Sequence, residues 1–221
     1  LVGMLAIGGP IWNSLQELIW LMAVITMLAG AFGALTQQNL KRLLAYSSVV
    51  HMGTILAGLI CQSSEGLAAT VFYITVYVIG SFGIFALIAS LADQRGEPMT
   101  LDQWRGLGYR HPIRCAVLSL LLLSLAGLPA TAGFMAKLAI FQAALHAGFL
   151  WLVLIGVFAS LVSFAFYLRV ILVLYQRDTE PASWHPGTGM EHTVLALSAT
   201  LVLLLGLVPG VLFDLIGQIL P

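Results

Sequence analysis

The sequence predicts an all-α, polytopic membrane protein of about six transmembrane helices, one of them broken. Three observations carry that expectation. Hydrophobic residues make up 60% of the 221 and charged residues only 8%, with a mean hydropathy of +1.02; a soluble domain of this size could not cover its surface with so few charges. The apolar residues gather in six runs, near 18–36, 41–60, 67–92, 114–144, 149–176 and 192–219, each close to or above the ~20 residues that cross a ~30 Å hydrocarbon layer. The runs are also continuous, whereas the strands of a membrane barrel would alternate every second residue.

Ahead of the first run, "LVGMLAIGG" reads as the tail of a helix. It is too short to span and lacks the cationic flank of a signal peptide. The chain therefore reads as a fragment or processed piece, with residues 1–221 forming one membrane domain. The connections between runs set an orientation. Those after the first, third and fifth runs, with the flanking helix ends, hold Lys41, Arg42, Arg95, Arg105, Arg110, Arg114, Arg169 and Arg177. The connections after the second and fourth hold no Lys or Arg. The basic side is the cytoplasmic side of a bacterial inner membrane by the positive-inside rule. The ninth basic residue, Lys137, lies inside the fourth run.

Polar seams run along three helices. In the second run, Lys41, Ala45, Ser48 and His51 fall on roughly one helical face. His51 is about ten residues in, near mid-membrane at ~1.5 Å per residue. Thr70, Tyr73, Tyr77 and Ser81 continue the pattern in the third run, and Ser160, Ser163 and Tyr167 in the fifth. Hydroxyls of this kind are ordinary interhelical hydrogen-bonding groups. A histidine at that depth points instead to a transport pathway. Lys41 and Arg42, at a helix end, read as anchors that snorkel to the interface.

The fourth run is the one expected to break. At about 30 residues a continuous helix would be ~45 Å long, well beyond the hydrocarbon thickness. Pro129 removes a backbone donor, and Gly127 and Gly133 tolerate irregular dihedrals. A second half-helix is expected to start near Gly133, with Lys137 about a turn in. The N-terminal end of a helix carries roughly half a positive charge, so an ammonium there is not simply held in place and can give up and regain a proton. Interrupted helices near the midplane are where ion transporters build their sites.

Other chemistry is missing from the sequence. It has no Walker motif, no GxGxxG after a strand and no clustered cysteines for iron–sulfur ligation. His51 and His146 have no pairing that would hold haem. His111, His185 and His192 read as exposed, and Asp214 as facing the outer interface. No cofactor or metal is expected in this chain, and its zero net charge gives no reason to expect nucleic acid. Cys61 and Cys115 fall at opposite membrane faces and are expected as free thiols. The loop 93–113 is expected to form a short amphipathic turn at the cytoplasmic surface.

Three stretches, "LTQQNLKRLLAYSSVVHMG", "LAGLPATAGFMAKLAIF" and "SLVSFAFYLRVILVLY", resemble the antiporter-like, proton-translocating subunits of respiratory complex I, the bacterial NADH:quinone oxidoreductase, and its N type above all. "LDQWRGLGYRHP" is similar as well. The resemblance covers nearly the whole chain in order. It implies the last six of fourteen transmembrane helices: the second of two inverted five-helix repeats plus a terminal helix. It also implies a proton-pathway lysine or glutamate on the broken twelfth helix, which Lys137 matches, and a "KR…AYSS…H" motif, which makes His51 a relay candidate and Lys41 a weaker one. Thr54 stands where the family usually has tyrosine.

The function this implies is proton translocation coupled to electron transfer from NADH to quinone in partner membrane subunits. On this reading the chain is part of an enzyme and holds no redox centre. Two alternatives stand: a subunit of a multisubunit sodium/proton antiporter, which shares these motifs, and a membrane scaffold that no longer pumps.

Overall fold

A computed structural model of the chain describes residues 10–90, 100–177 and 189–219. The opening stretch 1–9, Arg95 with the first part of the 93–113 loop, and His185 lie outside the described residues. Among the described residues, nine helices carry the fold: α1 (Pro10–Leu35), α2 (Leu40–Leu59), α3 (Ser64–Ser90), α4 (Leu107–Arg110), α5 (Pro112–Ala126), α6 (Ala132–His146), α7 (Leu150–Leu174), α8 (Gly189–Leu207) and α9 (Gly210–Ile219). A 3₁₀ turn, Leu101–Trp104, precedes α4.

Local signals explain the boundaries. The Asn39 side chain accepts a hydrogen bond from the Arg42 amide at 3.1 Å and so caps the start of α2. Pro112 opens α5 at a position where its missing N–H costs nothing. The carbonyl end of α1 is closed from another helix: Arg169 on α7 donates to the Leu35 and Gln37 carbonyls at 2.8 and 2.5 Å. One of the basic residues that set the orientation thus also ties two helices together.

By length and apolar character, α1, α3 and α7 qualify as membrane spans on their own, and the α8–α9 pair makes a fourth when taken together. The expected spans at 41–60 and 114–144 fall short of that standard for reasons visible in their residues. α2 carries the polar groups of the second run, and the fourth run is split into two helices of 15 residues each. Both lie among other helices: α2 packs on α1, α3, α6 and α7, and α6 on α2, α3, α7 and α8. A helix enclosed by protein does not need a lipid-compatible surface all round. The lipid role falls to side chains such as Phe82, Trp151 and Leu161, which stand exposed outside the bundle.

The sixth run departs from the single helix expected over 192–219. It breaks at Val208–Pro209, and α9 turns 86° from α8. Pro209 cannot donate to the helical ladder, and its carbonyl instead accepts the Leu212 and Phe213 amides at 3.1 and 3.2 Å to start α9. Phe213 then stacks on Phe72 of α3 with ring centroids 4.5 Å apart. Asp214 is exposed on α9.

Part of the cytoplasmic loop also differs from expectation. Leu101, Trp104 and Leu107 are buried, Trp104 completely, so this segment is inserted into the bundle rather than laid on its surface. Two apolar clusters result. One, toward the cytoplasmic end, gathers Leu40, Leu43, Ile84, Trp104, Leu118 and Leu174. The other, toward the outer end, gathers Ile60, Phe72, Ala136, Ile140 and Leu152.

Cys61 and Cys115 are free and buried, so neither gives a useful labelling background. Exposed Gln62 and Tyr109 replace them as reporters of orientation. In right-side-out vesicles, a Gln62→Cys variant should react with a membrane-impermeant maleimide and a Tyr109→Cys variant only after permeabilisation. The reverse pattern would invert the topology.

Candidate functional site

Between the two apolar clusters lies a polar layer, supplied by the middle turns of α2, α3 and α7 and by the break between α5 and α6. The break explains its own geometry. α5 ends at Gly127, whose φ of 94° is left-handed and costs glycine nothing. The Gly127 amide donates to the Ser124 carbonyl and the Leu128 amide to the Leu123 carbonyl, at 3.0 and 2.9 Å, the Schellman pattern that closes helix C-termini. Ser124 also braces the other half, because its hydroxyl accepts the Gly133 amide at 3.1 Å and so satisfies one of the orphan donors of α6.

Gly133 does not play the part expected of it. It lies within α6, where its backbone is helical, and its importance is proximity. A Cβ there would stand 1.8 Å from the Ser124 carbonyl oxygen. The left-handed positions of the break are Gly127 and, unexpectedly, Ala130, with φ of 70°. Pro129 lies between them, in the irregular stretch joining α5 to α6.

Lys137 is 6% exposed and points into the bundle. Its Nζ donates to the Ala126 carbonyl at 2.8 Å, and the side chain runs along Gly127. The helix end that meets the ammonium is therefore the carbonyl end of α5, which attracts a cation, and not the N–H end of α6 expected from the sequence. Burial works against that attraction. The site holds an ammonium by one carbonyl, and no carboxylate among the described residues pairs with it.

His51 is 4% exposed, and both ring nitrogens are engaged. Nδ1 meets the Tyr73 hydroxyl at 2.8 Å and Nε2 the Tyr167 hydroxyl at 3.2 Å. Tyr167 in turn hydrogen-bonds Ser47. A neutral imidazole donates from one nitrogen and accepts at the other, so Tyr73–His51–Tyr167–Ser47 forms a chain with two possible polarities. Passing a proton through it converts one polarity into the other. Close by, Tyr77 donates to Ser48 at 2.7 Å, and its ring lies 4.9 Å from the His51 ring.

His51 and Lys137 share the wall of one small void of about 10 Å³, with Tyr73, Tyr77 and apolar residues such as Val76 and Leu125 completing it. That is near the roughly 10–15 Å³ that one water requires. The structure thus brings together two of the three expected pathway residues. Lys41 stays at the cytoplasmic end of α2, ten positions and so ~15 Å along the axis from His51. The tyrosines were legible only as ordinary hydroxyls, and Ser47 only as one residue of the AYSS motif. Their spacing on separate helices did not reveal that they converge on one imidazole. Several seam hydroxyls do something humbler: Thr70 and Ser163 donate to carbonyls four residues back in their own helices, and Thr54 does the same to Val50.

Comparison with known proteins agrees with this architecture. A family model described as NADH:quinone oxidoreductase/Mrp antiporter, transmembrane, matches residues 2–163. NADH-quinone oxidoreductase subunit N 3 of Streptomyces griseus is 41% identical over 217 residues, which is 96% of this chain and 39% of that protein. The chain thus spans about two-fifths of that relative's length. Among solved structures, respiratory complex I from Thermus thermophilus holds a chain of the same fold, with a TM-score of 0.80 and 30% identity over 90% of this chain and 45% of that one. A chain of the Mrp complex from Dietzia shares the fold with a TM-score of 0.81 at 24% identity, covering 92% of this chain and 46% of that one. With the match covering most of its residues, the chain is a multi-pass, all-α membrane protein that belongs to the NADH:quinone oxidoreductase/Mrp antiporter transmembrane family.

Proposed function

We propose that this chain is the C-terminal portion of an N-type subunit that carries protons across the bacterial inner membrane, driven by electron transfer from NADH to quinone in partner membrane subunits. The observation that best supports the reading is the buried Lys137 at a broken helix, sharing a water-sized void with His51 and two tyrosines. A lysine held by a single carbonyl can alternate between charged and neutral forms without leaving a carboxylate partner unpaired. The imidazole beside it can accept a proton on one nitrogen as it releases one from the other. Lys41 would serve at the cytoplasmic end of the same helix. No residue in this reading holds a cofactor, and redox chemistry belongs to the partners.

The full-length subunit in its own complex, in inverted membrane vesicles, provides the test. NADH oxidation should acidify the vesicle interior with or without a sodium gradient. Sodium–proton exchange that needs no NADH would instead favour the antiporter reading, which the family description and the Mrp fold keep in view. Within this assay His51→Gln is informative, because Gln can still hydrogen-bond but cannot relay a proton. Assembly should be preserved and pumping should slow by at least about tenfold. Pumping at the parent rate would remove His51 from the pathway.

A further inference from the structure

A second small void, also about 10 Å³, lies on the cytoplasmic side of the Lys137 void. Ser47, Ser48, Tyr77 and Ser81 line it together with apolar residues such as Leu44 and Ile84. The two voids have two residues in common, Tyr77 and Leu125. Leu125 is an apolar partition. Tyr77 is different, because its hydroxyl donates to Ser48 beside the cytoplasmic void while its ring lies against His51 in the wall of the central one. Ser48 donates onward to the Leu44 carbonyl at 3.0 Å.

We propose that Tyr77 is the transfer residue between these voids, passing protons between Ser48 and a water beside Lys137. The proposal rests on the proton-carrying reading above and adds a residue and a route to it. In the inward step both hydroxyls first turn from the acceptors seen here, Tyr77 from Ser48 and Ser48 from the Leu44 carbonyl; Ser48 then gives its proton to the Tyr77 oxygen as Tyr77 gives its own to a water in the central void. That water passes a proton to neutral Lys137, and a water in the cytoplasmic void restores the proton on Ser48 and takes one from the cytoplasm in its place. Every oxygen gains one proton and loses one, so only Lys137 changes charge. A neutral phenol suits this role because it donates and accepts through the same atom. Phenylalanine would keep the ring and lose the relay.

The test uses the full-length subunit in its complex, with NADH-driven proton translocation measured in inverted vesicles at matched complex content. Tyr77→Phe should slow translocation by at least about tenfold. Ser48→Ala should do the same. The double variant should be no slower than either single one, because the two groups act in series and their effects do not add. A merely structural Tyr77–Ser48 bond predicts altered assembly or melting with proton transfer per assembled complex unchanged. Parent-rate pumping by Tyr77→Phe, alongside an inactive Lys137→Ala, would overturn the Tyr77 route and leave the proton-carrying reading intact. Parent-rate pumping by both would overturn the reading itself. Should Tyr77→Phe fail to assemble, Ser48→Ala decides: slowed pumping supports the route and unchanged pumping removes it.

Discussion

Lys137→Arg should assemble normally and fail to pump. The longer guanidinium keeps a donor for the Ala126 carbonyl, which Nζ reaches at 2.8 Å, so the bond holding the two half-helices together survives. What it loses is the neutral state, since guanidinium stays protonated at any working pH. A carrier that cannot release its proton stops after one event, and proton translocation in the assembled complex should fall by about 100-fold or more. Lys137→Ala should fail as well, and less cleanly. It leaves the Ala126 carbonyl of α5 without its donor and opens space beside Gly127, so some loss of assembly accompanies the loss of transport. The Arg variant therefore separates chemistry from packing. A lysine that only snorkelled to the interface would predict the opposite result, because Arg anchors there as well as Lys does. The relevant measurement is NADH-driven acidification of inverted vesicles, normalised to assembled complex. Full pumping by Lys137→Arg would end the proton-carrier role and leave Lys137 as a helix brace.

Much of this was legible in the residues, and the reasons differ from element to element. The number and order of apolar runs followed from composition, because lipid makes a simple demand on side chains. The break between α5 and α6 followed from Pro129 beside Gly127. The equivalent signal in "LVPGV" marks the α8–α9 break just as plainly, yet the run around it had the length of a tilted span and read as one helix. Which end of which half-helix Lys137 touches was not legible, since it depends on a long side chain folding back across the break. The same holds for the convergence of Tyr73 and Tyr167 on His51. A helical face can be read from periodicity, but the rotation of one helix against another is set by packing along its whole length. Glycine gave the clearest divided result. Gly127 is a conformational glycine, as its place beside a proline suggested, whereas Gly133 is a steric one whose cause lies nine residues away on the other half-helix.

That steric role gives the second large effect. Gly133→Ala should destabilise the folded subunit by about 3 kcal/mol or more and lower the yield of assembled complex. The added Cβ would lie 1.8 Å from the Ser124 carbonyl oxygen and 2.6 Å from its carbon. Both are backbone atoms within α5, so no side-chain rotation relieves the contact. Relief requires α6 to move away from α5. That motion also pulls the Gly133 amide off the Ser124 hydroxyl and carries Lys137 away from the Ala126 carbonyl. Transport and stability should therefore fail together, unlike in Lys137→Arg, where only transport fails. Gly148→Ala is the matched control. Unlike Gly133, Gly148 precedes a helix and has a left-handed φ of 85°, but nothing lies within 4 Å of its missing Cβ. Its substitution carries only the backbone cost, about 1–2 kcal/mol, at a surface turn far from the break, and pumping per assembled complex should stay at the parent level. Melting of the purified complex and its recovery on native gels would read both variants. Equal stability of Gly133→Ala and Gly148→Ala would mean that the half-helices do not meet at Ser124, and the placement of Lys137 against α5 would fall with that contact.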